Sequence, residues 1–342
     1  MRWLNEARVD IVKRSGLQAE SYALVRMIDS YLRPGTSLMK LAANTATDEV
    51  MQRARAAIPA PLQRFVGIEI ARRWAVPESP QEELLGRVAE CFHILDALLL
   101  YSREIAAGEL PERPEEFLAT VMRPSCLQVD PSLIPLRFAA DTGDSFTYRN
   151  DEVKRDQPTM ELALGRYGEP PIVNMSADME EIGAGLHSIA RHLFGADGHV
   201  VTTVQLRAPN GRWELMVPIM NDKREKFLTW HMIGAKVRTE GHDALVTTSE
   251  VWLAPPETEL EPYLDVSSVP GRGEGIATWL EAPSGPNLSW SSEIGRLLNT
   301  AHLLPSRRSE VDVASAVVGF AAPVWYAWRQ RGEGPEVAVA GE

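Results

Sequence analysis

The hydrophobic period of residues 177–254 switches repeatedly between the spacing of a helix and that of a strand. Apolar residues recur at three-to-four spacing over about 177–195 and about 222–239, which predicts two amphipathic helices. Strands are predicted from short apolar or alternating runs over 199–206, 213–219 and 244–253. The resulting order, α-β-β-α-β, is typical of a small α+β layer.

Turn residues join the predicted strands into hairpins. Asn210-Gly211 lies between the first two runs, and Asn-Gly in that position is the strongest local hairpin signal. A second hairpin is predicted from strands over 275–281 and 288–294, which flank the turn 283–286. We therefore expect a largely antiparallel sheet of about five strands in α-β-β-α-β-β order, with two helices covering one face.

Residues 1–122 have helical spacing over most of their length. In particular, Leu95, Leu98 and Leu99 belong to an apolar stripe at three-to-four spacing, which predicts a core-facing helix. Proline and glycine signals separate the segments and indicate an irregular helical bundle. The predicted helices are 3–14, 18–33, 46–57, 60–74, 80–107 and 114–121.

The expected fold class is α+β, with an N-terminal all-helical domain (1–122) followed by a mainly antiparallel, sandwich-like α+β domain (176–330). The proline-rich stretch 123–175 contains short candidate strands and predicts a linker or a docking arm. Residues 331–342 are expected to form a flexible tail.

The segment 313–328 contains no charged residue. It is shorter than the roughly 20 apolar residues that a membrane-spanning helix needs, and Gly319 and Pro323 interrupt it. We expect a buried core helix or strand pair and no transmembrane segment. A partner-binding or membrane-surface element is the alternative.

Charge and cysteine usage argue against several classes of protein. The net charge of −12 is unfavourable for a generic nucleic-acid or anionic-membrane binder, since phosphate affinity needs clustered positive charge. Cys91 and Cys126 are too few for a disulfide framework or a zinc site of their own, which indicates a reducing compartment. The N-terminus has no apolar secretory segment. We therefore expect a cytoplasmic protein, and the preference for arginine over lysine indicates a bacterial coding sequence.

Arg87 and His93 are spaced as R-x5-H on a long predicted helix. This pattern within a helical domain resembles the ribonuclease motif of HEPN domains. The resemblance implies that Arg87 and His93 of paired protomers meet at the scissile phosphate, where the arginine stabilises charge and the histidine transfers a proton. The chain departs from that family at Val88, where asparagine or aspartate is common.

Five of the seven histidines lie within residues 187–242. Metal binding requires ligands on one face, but His187 and His192 are five residues apart and diverge by roughly 140° on a helix. We therefore expect hydrogen-bonded structural histidines and no metal. If the fold brings histidines together, the candidate metal ligands are His187, His192 and His231.

Glu250 is the charged residue of an otherwise uncharged predicted strand. A solvent-facing or ion-paired carboxylate is expected there, whereas burial would perturb its pKa and make Glu250 a catalytic candidate. Gly183-Ala-Gly185 lacks a preceding strand, and Pro270 to Gly275 lacks the ending of a phosphate-binding loop. No cofactor is therefore expected.

These observations favour a non-catalytic interaction or regulatory module that acts through a protein partner or as a homo-oligomer. The enzyme alternatives are a metal-independent ribonuclease using Arg87 and His93, and a hydrolase built on the histidine-rich region 187–250. An enzyme should gather histidine, arginine and carboxylate side chains in one cleft, whereas an interaction module should expose an apolar patch.

Overall fold

The structure is a computed structural model in which the chain divides into two compact units. The first comprises Met1–Met27 and Gly35–Phe146, and the second comprises Ile28–Pro34 and Thr147–Glu342. The described residues are 20–42, 45–75, 135–145, 150–151, 156–255, 266–297, 300–313 and 319–334, with Ile94, Leu95, Leu98, Leu99, Ser102 and Thr258.

A four-stranded sheet in the order β2-β1-β3-β4 forms the first unit. β1 pairs antiparallel with β2, and β3 pairs antiparallel with β4. Two helices follow β2 and precede β3. The elements are β1 (Glu20–Ile28), β2 (Gly35–Leu41), α1 (Thr47–Ala56), α2 (Ala60–Gln63), β3 (Gly67–Ala75) and β4 (Leu136–Ala139).

The core of the first unit includes Val50 of α1, Ala23 and Val25 of β1, and Ile68 and Ile70 of β3. Residues two apart on a strand share a face, so each strand contributes an alternating pair to this core.

The neighbouring residue Glu69 is also buried, and ion pairs at 3.1 Å to Arg26 and 3.0 Å to Arg137 balance its charge. Both cations compensate the loss of water around this carboxylate.

The predicted all-helical N-terminal domain is wrong, because the described part of the first unit is built on strands. The segment predicted as helix 18–33 contains β1, and most of predicted helix 60–74 is β3. Alanine, leucine, methionine and arginine favour helices in isolation, but pairing with neighbouring strands outweighs that weak preference. The fold is mixed α+β with mainly antiparallel sheets.

An eight-stranded sheet forms the second unit, in the order β11-β10-β9-β8-β6-β7-β5, with β12 also paired to β10. The strand pairs recorded for this sheet are antiparallel. The strands are β5 (Asn150–Asp151), β6 (Thr203–Arg207), β7 (Trp213–Pro218), β8 (Ala244–Leu253), β9 (Gly273–Glu281), β10 (Leu288–Leu297), β11 (Thr300–Leu303) and β12 (Arg307–Glu310).

Helices pack on both faces of this sheet, and not on one face as predicted. One helix (α4) supplies Ile182 and Leu186 to a core with Val246 and Leu280, which defines the α4 face. Two other helices, α5 (Lys223–Glu240) and α6 (Ala322–Gln330), pack on the opposite face, here the α5–α6 face, which includes Leu245. The helices of this unit are α3 (Gln157–Tyr167), α4 (Met179–Asp197), α5 (Lys223–Glu240) and α6 (Ala322–Gln330).

The turn between β6 and β7 is made by local hydrogen bonds. Gly211 has a φ of 80°, which glycine adopts without a steric penalty, and its N–H donates to Ala208 O at 2.9 Å. The Asn210 side chain accepts from Arg212 N at 3.0 Å. This turn sets a register in which Leu206 lies opposite Glu214.

The end of the uncharged segment 313–328 is a buried core helix in the described residues. Trp325 and Trp328 of α6 are both 0% exposed, with ring centroids 5.0 Å apart. α5 approaches closely at Gly234, where a Cβ would lie 2.6 Å from Pro323 O.

Among the described residues, no helix has both the length and the apolar character needed to cross a bilayer.

Candidate functional site

Helix α3 is exposed up to Tyr167, which is half-buried, and none of its 11 residues is buried. The side chain of Asp156 caps its start by accepting from Thr159 N at 2.9 Å, and Gly168 ends it with a φ of 69°. Three apolar residues on this helix remain largely in solvent. They are Met160 (54% exposed), Leu162 (76%) and Leu164 (50%).

The last turn of α3 is its attachment to α4. Tyr167 Oη donates to Asp197 Oδ2 at 2.7 Å, and Arg166 Nε donates to Asp197 Oδ1 at 2.9 Å. The hydrogen bond from Tyr167, with the guanidinium of Arg166, holds the pKa of Asp197 below its usual value. His192 Nε2 also lies 2.7 Å from Tyr167 O. The helix is therefore held at its C-terminal end.

With Met160, Leu162 and Leu164 in water, α3 lacks the packing that usually stabilises a short helix. Helices shorter than about 12–15 residues are marginal in water, and in proteins most helix stability comes from packing of an apolar face. Leu162 lies roughly 160–200° around the helix from Met160 and Leu164, so apolar groups point in opposite directions. Beyond the helix, Ile172 is 98% exposed. This region therefore gains stability when another surface covers it.

A second apolar group is exposed in the first unit. The helical residues Ile94, Leu95, Leu98 and Leu99 expose between 37% and 61% of their surface. The prediction that Leu95, Leu98 and Leu99 face a core is therefore wrong, because the core of this unit is formed by its sheet and α1.

His187 lies in a buried chain of hydrogen bonds between α4 and the sheet. Its Nε2 is 3.0 Å from Ser292 Oγ, and its Nδ1 is 3.2 Å from Thr278 Oγ1, which in turn is 3.0 Å from Thr248 Oγ1. Arg191 donates to Ser292 Oγ from the outer end. If the hydrogens run from Arg191 towards Thr248, every link has one donor and one acceptor, which assigns a neutral His187 with the proton on Nδ1.

Burial, with a smaller effect of the charge on Arg191, lowers the pKa of His187 to about 4. The Ser292–His187 contact has the geometry of a nucleophile and its base, but Ser292 is only 1% exposed. A nucleophile has to reach its substrate, so this arrangement supports packing of α4 on the sheet.

The other candidate residues have separate partners. His231 Nε2 lies 2.9 Å from Ser30 O, whereas His192 contacts Tyr167, so neither shares a partner with His187. Glu250 is exposed and accepts from Val200 N at 2.6 Å. The ribonuclease candidates Arg87 and His93 lie outside the described residues.

Sequence reasoning assigned α3 to a linker, although Asp156, Pro158 and Gly168 are the cap residues that predict a helix there. It also missed Glu281, which is fully buried at the end of β9 and accepts from Trp325 Nε1 at 2.5 Å. Burial raises the pKa of this carboxyl to about 7. His242, one of the five histidines between residues 187 and 242, was not a candidate, but it lies beside the carboxylates of Glu214 and Glu240.

The described elements define a two-unit α+β protein with an exposed apolar helix on the second unit. A family model described as bacteriophage lambda protein ea47 matches residues 1–340. The chain therefore belongs to this phage protein family, and the match extends over both units. No curated protein and no solved structure matches the chain.

Proposed function

We propose that the protein is a non-catalytic interaction module that self-associates through α3, with a second copy of the chain as the partner. The observation that carries the proposal is Leu162, which is 76% exposed on a helix without a buried residue. Packing a second α3 on this side chain removes apolar surface from water and supplies the tertiary contact that the helix lacks.

The charges along α3 favour an antiparallel pair. The N-cap residue Asp156 places a carboxylate at the beginning of the helix, and Arg166 makes its last turn basic. Antiparallel packing brings the acidic end of one copy to the basic end of the other and opposes the two helix dipoles. Two-fold symmetry is the commonest arrangement of homo-oligomers, and it uses the same patch on both copies.

Size-exclusion chromatography with light scattering tests the proposal on the full chain. We expect a dimer of the 37.9 kDa chain and a monomer for Leu162→Glu, because the added charge would be buried against its own copy. Ala163→Glu is the matched control. It adds the same charge at an exposed neighbouring position that points roughly 100° away, so the dimer should persist.

A wild-type chain that is monomeric at every concentration would contradict self-association. A dimer that Leu162→Glu leaves intact would contradict the assignment to α3. Both variants should retain the wild-type circular dichroism spectrum, because both positions are exposed. Truncation after Pro305 is a poorer test, since it removes the buried Trp325 and Trp328 from the core.

We place this module in the cytoplasm, on the support of its cysteine usage. The exposed residues Ile94, Leu95, Leu98 and Leu99 of the first unit add support for an interaction role. A metal-independent ribonuclease that uses Arg87 and His93 stays a prediction from the sequence.

A further inference from the structure

Two carboxylates and one imidazole meet at the C-terminal end of α5. Glu214 comes from β7, Glu240 is the last residue of α5, and His242 follows the cap residue Gly241. His242 Nε2 lies 3.6 Å from Glu214 Oε2 and 3.9 Å from Glu240 Oε2. The three ligand atoms all lie within 4.8 Å of one another.

His242 is buried and directed at the carboxylates. Its side chain is 1% exposed, and among the described residues neither Nδ1 nor Nε2 has a hydrogen-bond partner. Its backbone carbonyl accepts from Trp328 Nε1 at 2.9 Å and from Arg331 Nη2 at 3.0 Å. These two bonds hold the residue in place, so Nε2 carries a lone pair that the protein itself does not use.

We propose that Glu214, Glu240 and His242 form a zinc site. Zinc bonds of about 2.0–2.2 Å in tetrahedral geometry place ligand atoms roughly 3.3–3.6 Å apart, so the exposed carboxylates would have to move inward by up to about 1 Å. The two carboxylate side chains are 43% and 47% exposed, which leaves the fourth position to water. The negative end of the α5 dipole also favours a cation there.

Lys236 is the group that zinc would have to displace. Its Nζ lies 3.1 Å from Glu214 Oε2 and 2.5 Å from Glu240 Oε2. One ammonium balances one of two carboxylate charges, whereas a divalent ion balances both. The lysine side chain is 28% exposed and has a flexible four-carbon stem, so it can move into solvent when the metal binds.

Zinc at this site joins β7, the end of α5 and the residue that leads into β8. Binding to the folded chain therefore stabilises the second unit. The unpartnered Nδ1 lacks the second hydrogen bond that usually orients a ligating histidine. Together with competition from Lys236, this predicts an affinity in the micromolar range, weaker than that of a closed structural site.

Isothermal titration calorimetry, with zinc added to the untagged, metal-stripped full-length chain, tests the site. We expect one zinc ion per chain, at least about tenfold weaker binding in Glu214→Gln/Glu240→Gln, and at least about tenfold tighter binding in Lys236→Met. Glu274→Gln is the matched control, because that carboxylate is paired with Arg296 elsewhere on the sheet. Zinc should raise the thermal unfolding midpoint of the wild type and of Lys236→Met, but not that of the double variant.

Three results would overturn the site. They are no saturable binding by the wild type, equal binding by the double variant, and no gain in affinity for Lys236→Met. Lys236→Met distinguishes loss of the site from misfolding, because a damaged fold would not bind zinc more tightly. Leu162→Glu should bind zinc as the wild type does, so the site and the proposed self-association succeed or fail independently.

Discussion

The two faces of the large sheet are both buried, but they bury different chemistry. On the α4 face, His187, Thr278 and Ser292 join one hydrogen-bond chain. On the α5–α6 face, aromatic rings dominate, and the buried carboxyl of Glu281 accepts a hydrogen bond from one indole.

The ionisable groups of the two faces respond to pH in opposite ways. The lowered pKa of His187, about 4, favours the folded state at high pH, whereas the raised pKa of Glu281, about 7, favours it at low pH. Two equally buried polar groups can therefore contribute differently to the free energy of unfolding, because the partners of each group decide its contribution.

The largest effect is expected on the aromatic face. Trp328→Ala should lower the free energy of unfolding by about 3–5 kcal/mol, because the side chain is 0% exposed and its Nε1 donates to His242 O. Trp252→Ala is the matched control, because Trp252 is 45% exposed with Arg272 over its ring. This variant should lower the free energy of unfolding by less than about 1 kcal/mol. Chemical denaturation measures both, and equal losses would contradict the burial of α6.

Glu281 should make the second unit less stable as pH rises. Its pKa is 4.5 when unfolded and about 7 when folded, so its contribution is complete below pH 4.5 and is lost as pH rises through 7. The free energy of unfolding should fall by roughly 3 kcal/mol over this range. Glu281→Gln keeps an acceptor for Trp325 and should remove this dependence. If the free energies of unfolding of the wild type and of Glu281→Gln change in parallel from pH 4.5 to 8, the raised pKa is refuted.

His187 should have the opposite effect at acid pH. Its pKa is 6.5 when unfolded and about 4 when folded, so its contribution is present above pH 6.5 and is lost as pH falls through 4. The free energy of unfolding should fall by roughly 3 kcal/mol over this range. Between pH 4.5 and 6.5, the pH dependences that His187 and Glu281 give to the free energy of unfolding offset each other. Stability should therefore rise with pH in Glu281→Gln and fall with pH in His187→Gln, and identical slopes in the two variants would contradict this account.

The smallest effects compare two buried threonines. Thr278→Val breaks the hydrogen-bond chain on the α4 face and should destabilise by about 1–3 kcal/mol, since it leaves His187 Nδ1 without its acceptor. Thr247 on the opposite face has no partner for Oγ1 among the described residues. Thr247→Val should therefore be neutral or stabilise by up to about 1 kcal/mol. Equal losses for both would show that hydrogen bonding does not distinguish the two faces.

Local chemistry made some elements predictable and left others open. The turn at Asn210-Gly211 depends on residues next to it in sequence, and the structure has a hairpin there. The segment Glu20–Ile28 contains residues that favour helices, so its identity as β1 depended on pairing that local preference does not report. Helix α3 could have been predicted from its caps, whereas its exposure could not.

The candidate sites show the same division. The sequence identified the histidine-rich region, but not which histidine lies beside carboxylates. His187 contacts Thr278 and Ser292, which are 91 and 105 residues away along the chain. Glu281 accepts from Trp325, 44 residues away. Sequence spacing carries no information about such distant partners.

By itself, the sequence determined the hydrophobic periods and the turn chemistry, because both depend on neighbours within a few residues. The tertiary structure decided the strands of the first unit, the opposite placement of α4 and α5, and the partners of His187, Glu281 and His242. Each of these depends on the free energy of contacts between distant segments, which exists only once the chain has folded.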